Sequence, residues 1–158
     1  MEANEKVSGM RHSAAHVLAQ AVLEMFPEAK LAIGPAIENG FYYDFDLPRT
    51  LIPEDLPILE KKMKHIVKQN QKFVGREENG KKAMEFLKAI KQPFKVELLE
   101  DFLKEGKTIT FYENIRGDGT VAYVDMCKGG HSKSTGEIGP FKLTKIAGAY
   151  WRGDEKRP

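Results

Sequence analysis

The sequence predicts an α+β domain in which an antiparallel sheet packs around a long helix. Three observations lead there. Apolar residues recur at helical spacing near the N-terminus, and two turn signals each separate a pair of strand-like runs. Helices and hairpins then follow one another without regular βαβ alternation. At 158 residues the chain has the length of one domain, enough to bury roughly two-thirds of its unfolded surface.

Each element has a local reason. In RHSAAHVLAQAVLEMF (11–26) the residues Ala15, Leu18, Ala19, Val22, Met25 and Phe26 share a helical face, and Pro27 stops the helix. KLAIGPAIENGFYYDFD (30–46) carries two apolar runs around Glu38-Asn39-Gly40, a hairpin turn signal. PEDLPILEKKMKHIVKQNQKF (53–73) begins with proline and acids and ends basic, which suits a helix dipole; its length predicts the longest helix of the domain. Shorter helices are predicted near 77–91, closed by Gln92-Pro93, and near 97–104, ending at Gly106. TITFYENI (108–115) and TVAYVDMC (120–127) flank Arg116-Gly117-Asp118-Gly119, a second hairpin. The tail from Phe141 predicts one more strand and a charged exit.

Composition narrows the function classes. A net charge of +2, from 25 basic and 23 acidic residues, is no global nucleic-acid signature, so any basic face must be local. No apolar run approaches the ~20 residues of a membrane helix. The start, MEANEKVSGM, lacks the apolar centre of a signal peptide. One cysteine excludes an internal disulfide and suits a reducing compartment. The chain reads as cytoplasmic.

Chemistry concentrates in two places. His12 and His16 stand at i and i+4 on the first helix, with their roots about 6 Å apart on one face. VDMCKGGH then holds Asp125, the single thiol Cys127 and, after two glycines, His131 at a strand end. HxxxH plus CxxxH supplies four zinc-type donors, although Ser13 stands where a zincin helix needs glutamate. The same groups could instead position a water and move its proton. A nucleophilic Cys127 is the weaker reading, since no helix N-terminus is built to acidify it. His65 lies among lysines and reads as a surface residue. Composition alone makes Lys95 a solvated lysine, and Trp151 core or junction packing. Tyr42 and Tyr43 alternate on a strand, one for the core and one for the site.

Four motifs, HSAAHVLAQAV, AIGPAIENGFYYDFD, YVDMCKGGH and FKLTKIAGAYWRGDE, resemble in order and spacing the second N-terminal domain of bacterial threonyl-tRNA synthetase. The resemblance runs from about residue 10 to 155. It implies the editing-domain fold shared with alanyl-tRNA synthetase. It also implies hydrolysis of seryl-tRNA formed in error on threonine tRNA. Matched residue by residue, it makes His12, His16, Lys95, Asp125, Cys127 and His131 catalytic, with Tyr43 and Lys95 binding substrate. The family loop usually reads Cys-Arg-Gly-Pro-His; Lys128 and Gly130 depart from it, and lysine lacks the planar two-pronged donor of arginine. The alanyl branch binds zinc with the groups matching His12, His16, Cys127 and His131. The threonyl branch works without it, so no cofactor is required here and zinc occupancy is expected to be weak or partial.

The implied partner is the acceptor end of tRNA(Thr) carrying serine, with the catalytic and anticodon-binding domains of the full synthetase if the chain is a fragment. Lys142, Lys145, Arg152, Lys156 and Arg157 could form a basic strip for that tRNA end, but solvated charge is the default reading. Residues 1–158 form a single editing domain, with about 1–9 a flexible start and about 153–158 an exit toward a catalytic domain. Serine lacks threonine's methyl, a difference worth only ~1–3 kcal/mol in binding, so the pocket must act as a second sieve that excludes threonine by size. A zinc-binding structural domain, or a tRNA-binding accessory module without turnover, remains the alternative.

Overall fold

A computed structural model describes residues 2–32, 36–37, 40–127 and 131–144. The elements run α1 (Glu2–Met25), β1 (Lys30–Leu31), β2 (Ala36–Ile37), β3 (Gly40–Phe41), β4 (Phe45–Asp46), α2 (Asp55–Lys68), β5 (Lys72–Glu77), α3 (Gly80–Ala89), α4 (Pro93–Lys104), β6 (Thr110–Ile115) and β7 (Val121–Met126), with a 3-10 turn at Thr135–Glu137. The α+β class holds. The main sheet is antiparallel with β6 central, β5 and β7 on its flanks, and two ribbons, β1–β4 and β2–β3, are antiparallel pairs.

α1 is the helix around which the domain is built. Every residue from Ser13 to Val22 is buried. A helix buried on all sides needs small residues where neighbours approach, and Ala14, Ala15, Ala19 and Ala21 supply them. α2 presents Leu59, Met63 and Ile66 to α1, completing an apolar cluster with Val17, Val22 and Phe26.

The expectation that 53–73 is the longest helix is corrected: α1 has 24 residues and α2 has 14. The apolar spacing marked only the buried part of α1, whose helix continues N-terminally through EANEKVSGM with no proline to stop it. α2 ends because Asn70 adopts a left-handed backbone (φ 50°), a conformation asparagine tolerates, and the chain turns into β5. β5, KFVGRE, lacks the apolar alternation of a half-buried strand, and its partner β6 makes it one.

Both hairpins form where the turn signals stand. Ile37 pairs with Gly40, and β6 pairs with β7 from Phe111↔Met126 to Ile115↔Val121. Asn79 caps α3, its side chain accepting from Lys81 N at 2.8 Å. α4 opens at Pro93, so the helix expected near 97 begins earlier, with proline at its favoured first position. Buried Gln92 ties that helix to β1: Leu31 N donates to its Oε1 at 2.7 Å and its Nε2 donates to Ala29 O at 3.2 Å. The tail strand is not seen at 141–144, where Phe141 packs on Phe41; the rest of the tail lies outside the described residues.

The main sheet has two different faces, and strand alternation sets them. Phe111 and Met126 pack with Ala83, Leu87 and Leu99 of α3 and α4. Phe73, Asn114, Tyr123 and Asp125 belong to the opposite face, toward α1, where Asn114 donates to Gln20 Oε1 at 2.6 Å. No helix among the described residues is long and apolar enough to cross a membrane.

Candidate functional site

The α1 face and the end of β7 meet as the spacing requires. Along β7 and the residue that follows it, Tyr123, Asp125 and Cys127 alternate with Val124 and Met126, so the polar set falls on the α1 side. His131 reaches back to the same place. Its Nε2 lies 3.2 Å from His16 Nδ1 and 3.4 Å from Cys127 Sγ, and its Nδ1 lies 3.1 Å from Ser13 Oγ. The ring stacks on His12, with centroids 4.1 Å apart, and on Phe73 at 4.8 Å. Three of the four histidines thus form one cluster. His65 stands apart, exposed on α2 beside Gln69.

Burial governs the charge state of this cluster. His16 is 3% exposed, and burial, then the nearby His12, then Lys95, hold its pKa well below the ordinary value. Burial, followed by His16 and His12, lowers His131 to about 2. Both rings are therefore neutral at physiological pH. His16 Nε2 is buried and has no hydrogen-bond partner among the described residues.

A second group adjoins the first. Lys95, in the first turn of α4, is 5% exposed, not solvated as composition alone implied. Its Nζ lies 3.1 Å from Asp125 Oδ1, while Tyr43 Oη donates to Asp125 Oδ2 at 2.7 Å. The ammonium also sits 5.3 Å from the Tyr43 ring centre. Burial and the adjacent carboxylate raise the Tyr43 pKa well above its ordinary value, which keeps the phenol protonated as a donor. Asp125 therefore pairs with an ammonium and a phenol, and its influence on His131 is electrostatic. The pair does not divide between core and site as expected: Tyr42 is exposed, while Tyr43 both packs against the apolar clusters and reaches the site.

Every site residue expected from sequence lies in one of these two adjoining groups. Sequence reasoning passed over Ser13, Phe73, Tyr112 and Tyr123. Ser13 is fully buried, and its Oγ also accepts the Ser132 N–H at 2.8 Å. Its position between the two histidines was the available signal. Tyr123 could have been found by alternation with Asp125 and Cys127. Phe73 and Tyr112 could not, because they arrive through the β5–β6 register, in which Tyr112 lies opposite Gly75. A Cβ at Gly75 would come within 2.6 Å of that ring, so glycine lets Tyr112 lie over β5 toward His131.

His12, Cys127 and His131 bring ligand atoms within 4.8 Å of one another, inside the reach of one ion after small shifts. His16 is not part of that group. Lys128 and Gly130 lie outside the described residues, as do Lys145, Trp151, Arg152, Lys156 and Arg157; Lys142 is exposed.

Comparison with known proteins adds the following. Residues 109–158 match the family model "Threonyl and Alanyl tRNA synthetase second additional domain". The threonine–tRNA ligase of Dehalococcoides mccartyi is 56% identical over 149 residues, covering 94% of this chain and 24% of that protein. That of Clostridium tetani is 52% identical over 147 residues (93% and 22%), and that of Gloeobacter violaceus 51% over 156 residues (97% and 24%). The chain spans about a quarter of the length of these curated relatives.

Proposed function

Because the chain is a domain of the threonyl-tRNA synthetase type, in the second additional domain of that family, we propose that it hydrolyses the ester of serine wrongly attached to threonine tRNA. The observation that carries this reading is the pair of neutral imidazoles, buried His16 and half-buried His131, beside a buried Lys95–Asp125 ion pair. An aminoacyl ester is already activated, so hydrolysis needs a positioned water and a stabilised oxyanion. The histidines and Cys127 hold and polarise the water. Lys95 has three ammonium protons and uses one on Asp125, leaving donors for the charge that develops on the carbonyl. Asp125 receives the α-ammonium of the aminoacyl group, and Tyr43 fixes that carboxylate. Close packing around His131 excludes the extra methyl of threonine. The acceptor end of tRNA and the catalytic and anticodon-binding domains of a longer synthetase are the partners.

Zinc would be held by His12, Cys127 and His131 and would supply Lewis-acid polarisation of water. Three half-buried donors, with no preformed fourth among the described residues, predict weak occupancy. The decisive test measures deacylation of seryl-tRNA(Thr) and threonyl-tRNA(Thr) by this chain, with and without chelator. Seryl-tRNA should turn over about 10–200-fold faster, the range one methyl group allows, and chelator should leave the rate unchanged. Rates equal to spontaneous hydrolysis would overturn the proposal. Loss of rate on chelation would transfer the chemistry to a metal.

A further inference from the structure

Ser13, between the two helix histidines, is placed to do more than fill space. Its hydroxyl has one proton to give and two lone pairs to receive. The Ser132 backbone N–H, 2.8 Å away, is a donor and nothing else, so Ser13 Oγ must accept there. The second partner is His131 Nδ1 at 3.1 Å, and the proton of the buried hydroxyl is satisfied by donation to that nitrogen. With Nδ1 accepting, the ring proton of His131 is on Nε2, which faces His16 Nδ1 at 3.2 Å and Cys127 Sγ at 3.4 Å. Two N–H groups cannot point at one another across 3.2 Å, so His16 Nδ1 is bare and the proton of His16 sits on Nε2. That Nε2 is the buried nitrogen without a partner among the described residues.

We propose that Ser13 is a positioning residue that sets the proton direction of this chain, making His16 Nε2 a hydrogen-bond donor into the site. The order is Ser132 N–H, Ser13 Oγ–H, His131 Nε2–H, His16 Nε2–H. Its first member is a peptide group that cannot reverse; it takes one lone pair of Ser13 Oγ and leaves the hydroxyl proton for His131 Nδ1, the other polar partner within reach. Its last member, buried and unsatisfied among the described residues, is the donor left for an oxygen that enters the site: that of a water, or the ester carbonyl as it gains charge. The catalytic part of this assignment rests on the deacylase reading. The proton direction does not.

The test is nitrogen-15 NMR of histidine-labelled protein, which distinguishes Nδ1–H from Nε2–H tautomers without any substrate. Parent protein should show His131 and His16 both as Nε2–H. In Ser13→Ala, His131 should move toward a mixed or Nδ1–H state, and seryl-tRNA(Thr) deacylation should fall at least tenfold in kcat with little change in KM; Ser13→Thr, which keeps the hydroxyl, should retain the Nε2–H form. A parent spectrum with His131 as Nδ1–H overturns the proposal, even if Ser13→Ala fails to fold. Tautomers unchanged in a folded Ser13→Ala overturn it too. Tautomers as stated without any deacylation would leave the proton direction standing and remove the deacylase reading instead.

Discussion

Removing Asp125 should cost more than removing its partner Lys95, and removing both should cost less than the sum. Side-chain exposures of 6% and 8% place this pair away from bulk water. At the observed 3.1 Å the gross attraction is roughly 5 kcal/mol for an effective dielectric of about 20. Much of that offsets desolvation, so the measurable quantity is the asymmetry of breaking the pair. Asp125→Ala strands a buried ammonium and should cost about 3–5 kcal/mol. In a domain of this size that lowers Tm by roughly 6–20 °C. Lys95→Met fills a similar volume and leaves Asp125 with the Tyr43 hydroxyl at 2.7 Å, a softer loss. The double variant removes both charges, and a coupling of about 1–3 kcal/mol is expected. Urea unfolding of the four proteins at pH 7, with m checked for constancy, gives the cycle. Additivity to within about 0.5 kcal/mol would refute the reasoning, because it would mean that water already reaches both groups.

Other perturbations separate site from scaffold. His16→Ala and Cys127→Ala should slow seryl-tRNA deacylation by ~10²–10⁴, while His65→Ala, on the exposed face of α2, should be silent in rate and melting; parent rates for the first two would sink their assignment. The folded chain holds His131 down to about 2 and His16 well below its usual value. Unfolded imidazoles titrate near ~6.5. As pH falls from about 6.5 toward about 2 the unfolded state therefore binds protons that the folded state refuses, and stability falls with it. His131→Asn should flatten that slope in urea midpoints between pH 7.5 and 5.5, and an equally steep variant would argue against the cause. Asn79→Ala should cost about 1 kcal/mol, read as a Tm drop of ~2–4 °C, by removing the α3 cap.

What could be read from the sequence was what local rules govern. The turn chemistry at 38–40 and 116–119 gave both hairpins, whereas Pro93, which the sequence suggests only as the close of the preceding helix, opens α4 at the position where its missing N–H is no loss. The i,i+4 rule placed His12 and His16 on one face, and alternation on β7 placed Asp125 with Cys127. The burial of Lys95 could not be read, because nothing in PFKVELL says that an acid on a distant strand waits for it. β5 was hidden for the same reason. Its residues earn strand conformation only through hydrogen bonds to β6, a tertiary effect that overrides propensity. Asn70 is a local signal of the same kind as the turns: a left-handed asparagine ends α2 inside the stretch 53–73 whose charge order predicts one helix.

The site and the core are set by one register. β7 sends Val124 and Met126 to the apolar layer under α3 and α4, and Tyr123, Asp125 and Cys127 to the histidines. A slip of one residue against β6 would turn the acid and the thiol into that apolar layer and expose two apolar side chains to the imidazoles. Burial of Phe111 and Met126 on one face therefore fixes where Asp125 and Cys127 stand on the other. The pairing shift between Asn114 and Ile115 is confined to the turn end of the hairpin, so the four pairs nearest the site, Phe111↔Met126 to Asn114↔Tyr123, keep one register. A polar site lined by α1 and this sheet stays ordered because the apolar energy that aligns it is gained on the far side of the same strand.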